Sequence, residues 1–176
     1  MKTFIFGFAL FLAMVLVAGT SSADNKYVGA KKCGMCHKSA TLGAAYTIWE
    51  KSPHAHAFEI LKGKDAEAVA KKAGVKDPSS DLKCLKCHVT GGGSAAGIDK
   101  SEGVGCEECH GAASGFLMIH NKKDEASKAK AKEAGLILSA DNGKLCERCH
   151  NAQSPNFKGF KFKEMWAKIE HKLPKQ

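Results

Sequence analysis

Behind Met1-Lys2 the chain runs apolar from Thr3 to Gly19 and then reaches Ser21-Ser22-Ala23, the small-residue pattern of a cleaved export signal over residues 1–23. No second apolar stretch of about 20 residues follows, so no membrane span is expected in residues 24–176, which read as one domain. No Cys lies near Ala23, which argues against a lipid anchor.

Past that point the apolar positions are sparse and helical in period. One helix is predicted from Thr41 to Lys51. A second follows Ser52 as N-cap, with Pro53 in the first helical position and Gly63 as the stop. On it His54, Phe58 and Leu61 form a stripe, and His56 lies about 200° away beside Ile60. A short Ala/Lys helix is predicted from Ala66 to Ala73, ended by Gly74. A solvent-facing helix is expected over Lys122 to Ala134, with Asn121 as its cap and Gly135 as its end. Near the C-terminus Phe162, Trp166, Ile169 and Leu173 share one face of an amphipathic helix. Gly91-Gly92-Gly93-Ser94 reads as a flexible solvated linker. No strand pattern occurs, and the fold class is mainly α with much irregular chain.

Composition makes this domain look underfilled. Four of the nine Phe (Phe4, Phe6, Phe8, Phe11) leave with the signal. A globule of about 150 residues should nonetheless bury roughly 68–70% of its unfolded surface. Something other than side chains is expected to fill the interior. Of the 27 Lys and Arg, Lys2 leaves with the signal and 26 remain against 18 acids, a charge of +8 with neutral His. Arg148 is the single arginine, which argues against nucleic acid, whose readout favours the planar guanidinium. A solvated lysine-rich surface is the plain reading of this charge, and docking of an acidic redox partner the functional one.

The cysteines supply the missing filler. All eight fall in one repeated unit: Cys33-Gly-Met-Cys36-His37, Cys84-Leu-Lys-Cys87-His88, Cys106-Glu-Glu-Cys109-His110 and Cys146-Glu-Arg-Cys149-His150. Disulfides or zinc would explain paired cysteines, but neither needs a His at every fifth position. Chance placement of His after all four pairs would arise roughly a few times in a million, and C-x-x-C-H is the attachment signature of c-type haem. On a helical turn the two thiols and the imidazole share one face, so the thiols can bond the macrocycle while the imidazole reaches the iron. Four covalent haems are expected, at about 38 residues each, in a chain whose radius of gyration would be about 15 Å. Export agrees with this chemistry.

Four histidines lie outside the motifs: His54, His56, His120 and His171. They match four irons that each need a sixth ligand. Methionine competes for that place and raises the potential, but Met35 sits inside a motif, while Met118 and Met165 suit packing. His54 and His56 point to opposite sides of their predicted helix. Either they serve two irons, or one serves and the other stays at the surface. His120 follows the apolar Phe116-Leu117-Met118-Ile119, and His171 closes the last predicted helix off its apolar stripe.

Three segments carry a family resemblance: Val28-Gly29-Ala30-Lys31-Lys32 through His37, His54-Ala55-His56-Ala57, and Gly103-Val104-Gly105 through His110-Gly111. Together the chain resembles the cytochrome c-554 family, tetrahaem proteins that take electrons from hydroxylamine oxidoreductase in ammonia oxidisers. The resemblance implies a haem-packed helical domain working as a periplasmic electron carrier. It implies that His120 caps the first haem, that His54 or His56 caps a later one, and that one haem in the relatives lacks a sixth ligand. The present chain has a full set of candidates.

The reading is therefore an exported, periplasmic or secreted, tetrahaem c-type cytochrome that shuttles electrons between redox proteins, with no catalytic step required. One alternative is a small reductase of nitric oxide, nitrite or hydroxylamine at a five-coordinate haem. Another is a subunit of an extended haem wire, a homo-oligomer in which one His ligates a neighbour's iron.

Overall fold

The computed structural model describes residues 24–122, 124–138 and 141–174, and the expected export signal lies outside them. Eight short α-helices are present among the described residues: α1 Ala30–His37, α2 Ala45–Glu50, α3 Lys64–Lys72, α4 Leu82–His88, α5 Cys106–His110, α6 Glu125–Glu133, α7 Lys144–Glu147 and α8 Phe162–Trp166. Turns, 3₁₀ pieces and irregular chain make up the rest, with no strand among the described residues, so the expected fold class holds.

The core is as thin as the composition implied. Its largest fully buried side chains are Leu85 and Val89. One cluster gathers Phe58, Leu61, Leu85 and Val89, with Cys84 and Ile98 against it. The other gathers Ala113, Phe116 and Ala131 under Val28, Ile119, Ala134 and Leu136. Neither cluster approaches what two-layer packing normally requires.

Several predicted elements take a different form. The expected Thr41–Lys51 helix is cut at Gly43-Ala44, whose φ values of 79° and 49° are left-handed, so a 3₁₀ turn (Ala40–Leu42) precedes α2. Pro53 to Leu61 is a run of turns closing in a 3₁₀ piece, Glu59–Lys62, rather than an α-helix. That path buries Ala55, Ala57, Phe58 and Leu61 while leaving His56 exposed. α3 forms where expected and stops before Gly74. α6 begins later than expected because Asp124, not Asn121, is the cap: Asp124 accepts the Ser127 N–H at 2.8 Å and its hydroxyl at 2.9 Å. The C-terminal helix lasts only from Phe162 to Trp166, and Leu173 is exposed.

The glycine run is not a solvated linker. Gly91, Gly92 and Gly93 all take positive φ (65°, 69° and 77°) in a tight turn folded onto α4. A Cβ on Gly93 would stand 2.5 Å from the Leu85 Cβ. Thr90 anchors this turn: its hydroxyl accepts the Gly105 N–H at 2.7 Å, and its own N–H reaches the Gly103 carbonyl at 3.0 Å. The second motif is thereby pinned to the chain that leads into the third.

Candidate functional site

Each C-x-x-C-H unit occupies a helical turn. The first closes α1, the second closes α4, and the third is α5 itself. The fourth starts in α7 and continues one turn, with the His150 N–H on the Cys146 carbonyl at 2.9 Å. None of the eight cysteines is joined in a disulfide.

Second imidazoles stand opposite three of the four motif histidines. His37 faces His120, His150 faces His54 and His110 faces His171, each with ring centroids 5.9 Å apart. First-row metal–imidazole bonds run about 2.0–2.1 Å, so two rings gripping one ion from opposite sides have centroids about 6 Å apart. Three independent pairs meet that distance. The ring planes of His37 and His120 lie within 7°, whereas those of His54 and His150 cross at 81°.

Backbone carbonyls prepare the rings. The Nδ1 of His110 lies 2.7 Å from the Ile137 carbonyl, that of His88 2.7 Å from Ala57, that of His120 3.0 Å from Phe116 and that of His171 3.1 Å from Ile169. A carbonyl can only accept, so Nδ1 carries the proton and Nε2 keeps its lone pair for a metal. Burial holds the His37, His54, His110 and His150 imidazoles below their usual basicity, with the facing His120, His150 and His171 adding to the effect on the first three. Burial therefore favours the neutral form that a metal requires. His150 also stacks on Phe160, centroids 5.0 Å apart.

His88 and His56 stand apart. No second imidazole faces His88 among the described residues, although the Ala57 carbonyl orients it like the others. His56 is exposed and lies in no ring pair among the described residues.

The motifs touch in a fixed order. The neighbouring Cys33 and Cys106 thiols act on each other, pulling the first below its ordinary pKa and, with burial, pushing the second above it. The Cys109 thiol is raised to about 11 by burial and then by Cys146. The Cys149 thiol is raised to about 12 by burial and then by Cys87. The first motif thus adjoins the third, the third adjoins the fourth, and the fourth adjoins the second.

Two acids inside the third motif hold this cluster together, and the sequence reading assigned neither a role. Glu107, 3% exposed, accepts the N–H groups of Val28 at 3.0 Å, Gly29 at 2.8 Å and Ala113 at 2.8 Å, clamping the start of α1 to α5. Glu108 accepts the Gly91 N–H at 2.8 Å and pairs with Arg148 at 2.7 Å, linking the third motif to the loop after the second and to the fourth. The solitary arginine was the available signal. The His54 segment is fixed in its turn by the Val104 N–H on the His54 carbonyl at 2.9 Å. Gly103, at φ 61°, passes so close that a Cβ there would stand 2.5 Å from the same carbonyl oxygen.

These residues fit a flat metal macrocycle in two respects: the underfilled core leaves it room, and each thiol pair lies beside an imidazole with Nε2 free or a second ring at metal-sharing distance. By that chemistry the chain is a c-type cytochrome. Comparison with known proteins agrees. The family model "Cytochrome c554 and c-prime" matches residues 32–111. Cytochrome c-554 of Nitrosomonas europaea is 34% identical over 163 residues, covering 83% of this chain and 67% of that protein. The chain belongs to the cytochrome c-554 family, and is an electron carrier with covalently bound c-type haem. No solved structure matches it.

Proposed function

We propose that the chain, after loss of residues 1–23, is a periplasmic carrier with four haems, one on each C-x-x-C-H unit, which moves electrons between redox proteins. Cys33, Cys36, Cys84, Cys87, Cys106, Cys109, Cys146 and Cys149 would hold the macrocycles, and His37, His88, His110 and His150 the irons. His120, His171 and His54 would complete three of them, opposite His37, His110 and His150. The observation that carries this reading is the threefold recurrence of the 5.9 Å imidazole spacing. When bound, haem supplies a one-electron ferric/ferrous couple, and bis-His ligation keeps its potential below that of His/Met cytochromes.

Motif contacts make the order first, third, fourth, second, so the row ends at α1 and at α4. The His88 centre is five-coordinate in this assignment, and His56 is not a ligand. Electron paramagnetic resonance of the oxidised protein tests it: one high-spin centre beside three low-spin ones is expected, with one carbon monoxide bound per reduced chain. Four low-spin centres and no carbon monoxide binding would overturn it.

The same open side at His88 favours a second reading, reduction of a small nitrogen species there. Turnover of nitric oxide, nitrite or hydroxylamine by the reduced protein would establish it, and carbon monoxide binding without turnover would remove it.

The lysine surface gives a further expectation. With about eight ionised propionates and four ferric cores the net charge becomes about +4, falling to about zero on reduction, so attraction to an acidic partner weakens once the electron is loaded. Transfer to an acidic redox protein should slow as ionic strength rises. A salt-independent rate would remove the docking role of the lysines.

A further inference from the structure

Glu108 stands in a place that neither attachment nor ligation uses. On α5 it lies about 200° round from Cys106, away from the face that carries the thiols and His110. Its side chain is only 11% exposed, whereas that of its partner Arg148 is 57% exposed. Arg148 holds the equivalent position in the fourth motif, also about 200° round from its first cysteine. A single ion pair therefore joins the backs of two haem-binding turns. As a stabilising device it would be modest, because half-exposed pairs contribute little.

Its electrostatic reach is larger than its contribution to stability. A carboxylate shielded from water is weakly screened, while the exposed guanidinium loses much of its field to solvent. Each charge lies one residue from a haem-attachment cysteine, Glu108 beside Cys109 and Arg148 beside Cys149. The Gly91 N–H, 2.8 Å from Oε2, fixes the carboxylate independently of the arginine.

Resting on the tetrahaem reading, we infer that Glu108 is a positioning residue that sets redox potential: its buried negative charge biases the two middle haems, those of Cys106–His110 and Cys146–His150, toward the ferric state. Arg148 opposes it from a more screened position and limits the effect. No proton transfer or bond change is involved. The charge favours the state with one more positive charge on the iron.

Two charge-removing variants of one bridge test this, read by spectropotentiometric titration of the purified holoprotein with haem content checked in each. Glu108→Gln keeps an acceptor for Gly91 and removes the charge. It should move the redox equilibrium of the middle haems toward the ferrous state about tenfold, equivalent to about 59 mV for one electron. Arg148→Gln should move the same centres the opposite way and by less. Glu108→Asp, which retains the charge, should stay near the wild type. A purely structural bridge would give same-sign shifts in both Gln variants, because both break the same contact. That outcome, or unmoved midpoints in Glu108→Gln with four haems still attached, would overturn the inference and leave the tetrahaem reading standing. A wild-type protein lacking haem at the third or fourth motif would defeat both.

Discussion

Replacing His54 by Ala is expected to double the high-spin iron, from one centre in the wild type to two, while His56→Ala leaves the spectrum unchanged. His54 and His56 are two residues apart in one segment, with the same side chain and Ala55 between them. The chain path separates them. The turns after Ser52 bring His54 to within 5.9 Å of His150, centroid to centroid, and leave His56 exposed. His54 is held there from its own backbone by the Val104 N–H, so a substituted side chain has no neighbouring imidazole to replace it. Electron paramagnetic resonance of the three proteins at equal haem content checks the expectation. A high-spin gain in His56→Ala, with none in His54→Ala, would reverse the assignment.

Glu107→Ala is expected to be the most destabilising single change outside the motif cysteines and histidines. The carboxylate satisfies three backbone N–H groups at once, those of Val28, Gly29 and Ala113, in a site 3% exposed. A buried donor stripped of its partner costs about 1–3 kcal/mol, so three together should cost about 3–6 kcal/mol after partial relaxation. Set against the 5–15 kcal/mol typical of a whole domain, that is a large loss. For a chain of this size it corresponds to a melting temperature lower by roughly 10 °C or more. Thermal denaturation of the holoprotein measures it. A change of only a degree or two would mean that the haem attachments, not the clamp, hold α1 against α5.

Covalent chemistry was legible in the sequence and long-range geometry was not. A C-x-x-C-H unit needs only one helical turn to bring its three side chains together, so all four are complete locally, and each forms that turn. The pairing of His37 with His120, or of His54 with His150, depends on contacts across most of the chain that no local period encodes. Ser52, Pro53 and Gly63 carry every ordinary signal of a helix, yet the segment is turned chain. There the burial of Ala55, Ala57 and Phe58 and the Ala57 carbonyl on His88 accompany a tighter path than an α-helix would give. The glycine run misled in the opposite sense. Composition marked it as loose, whereas positive φ and close packing on Leu85 make it a fitted turn. Glu107 and Glu108 were hidden because a charged residue between two cysteines normally faces water, and here the two neighbours reach in different directions to hold Val28-Gly29, Ala113, Gly91 and Arg148.

On the proposed function, macrocycles bonded at four thiol pairs would occupy the space this polypeptide does not fill with side chains. Intact mass and pyridine haemochrome content of the protein matured in a cytochrome c-assembling host test it together. The expected result is the mass of residues 24–176 plus four covalently attached haems, with four haems per chain by absorbance. A bare polypeptide mass, or fewer than four haems in a fully folded product, would contradict it.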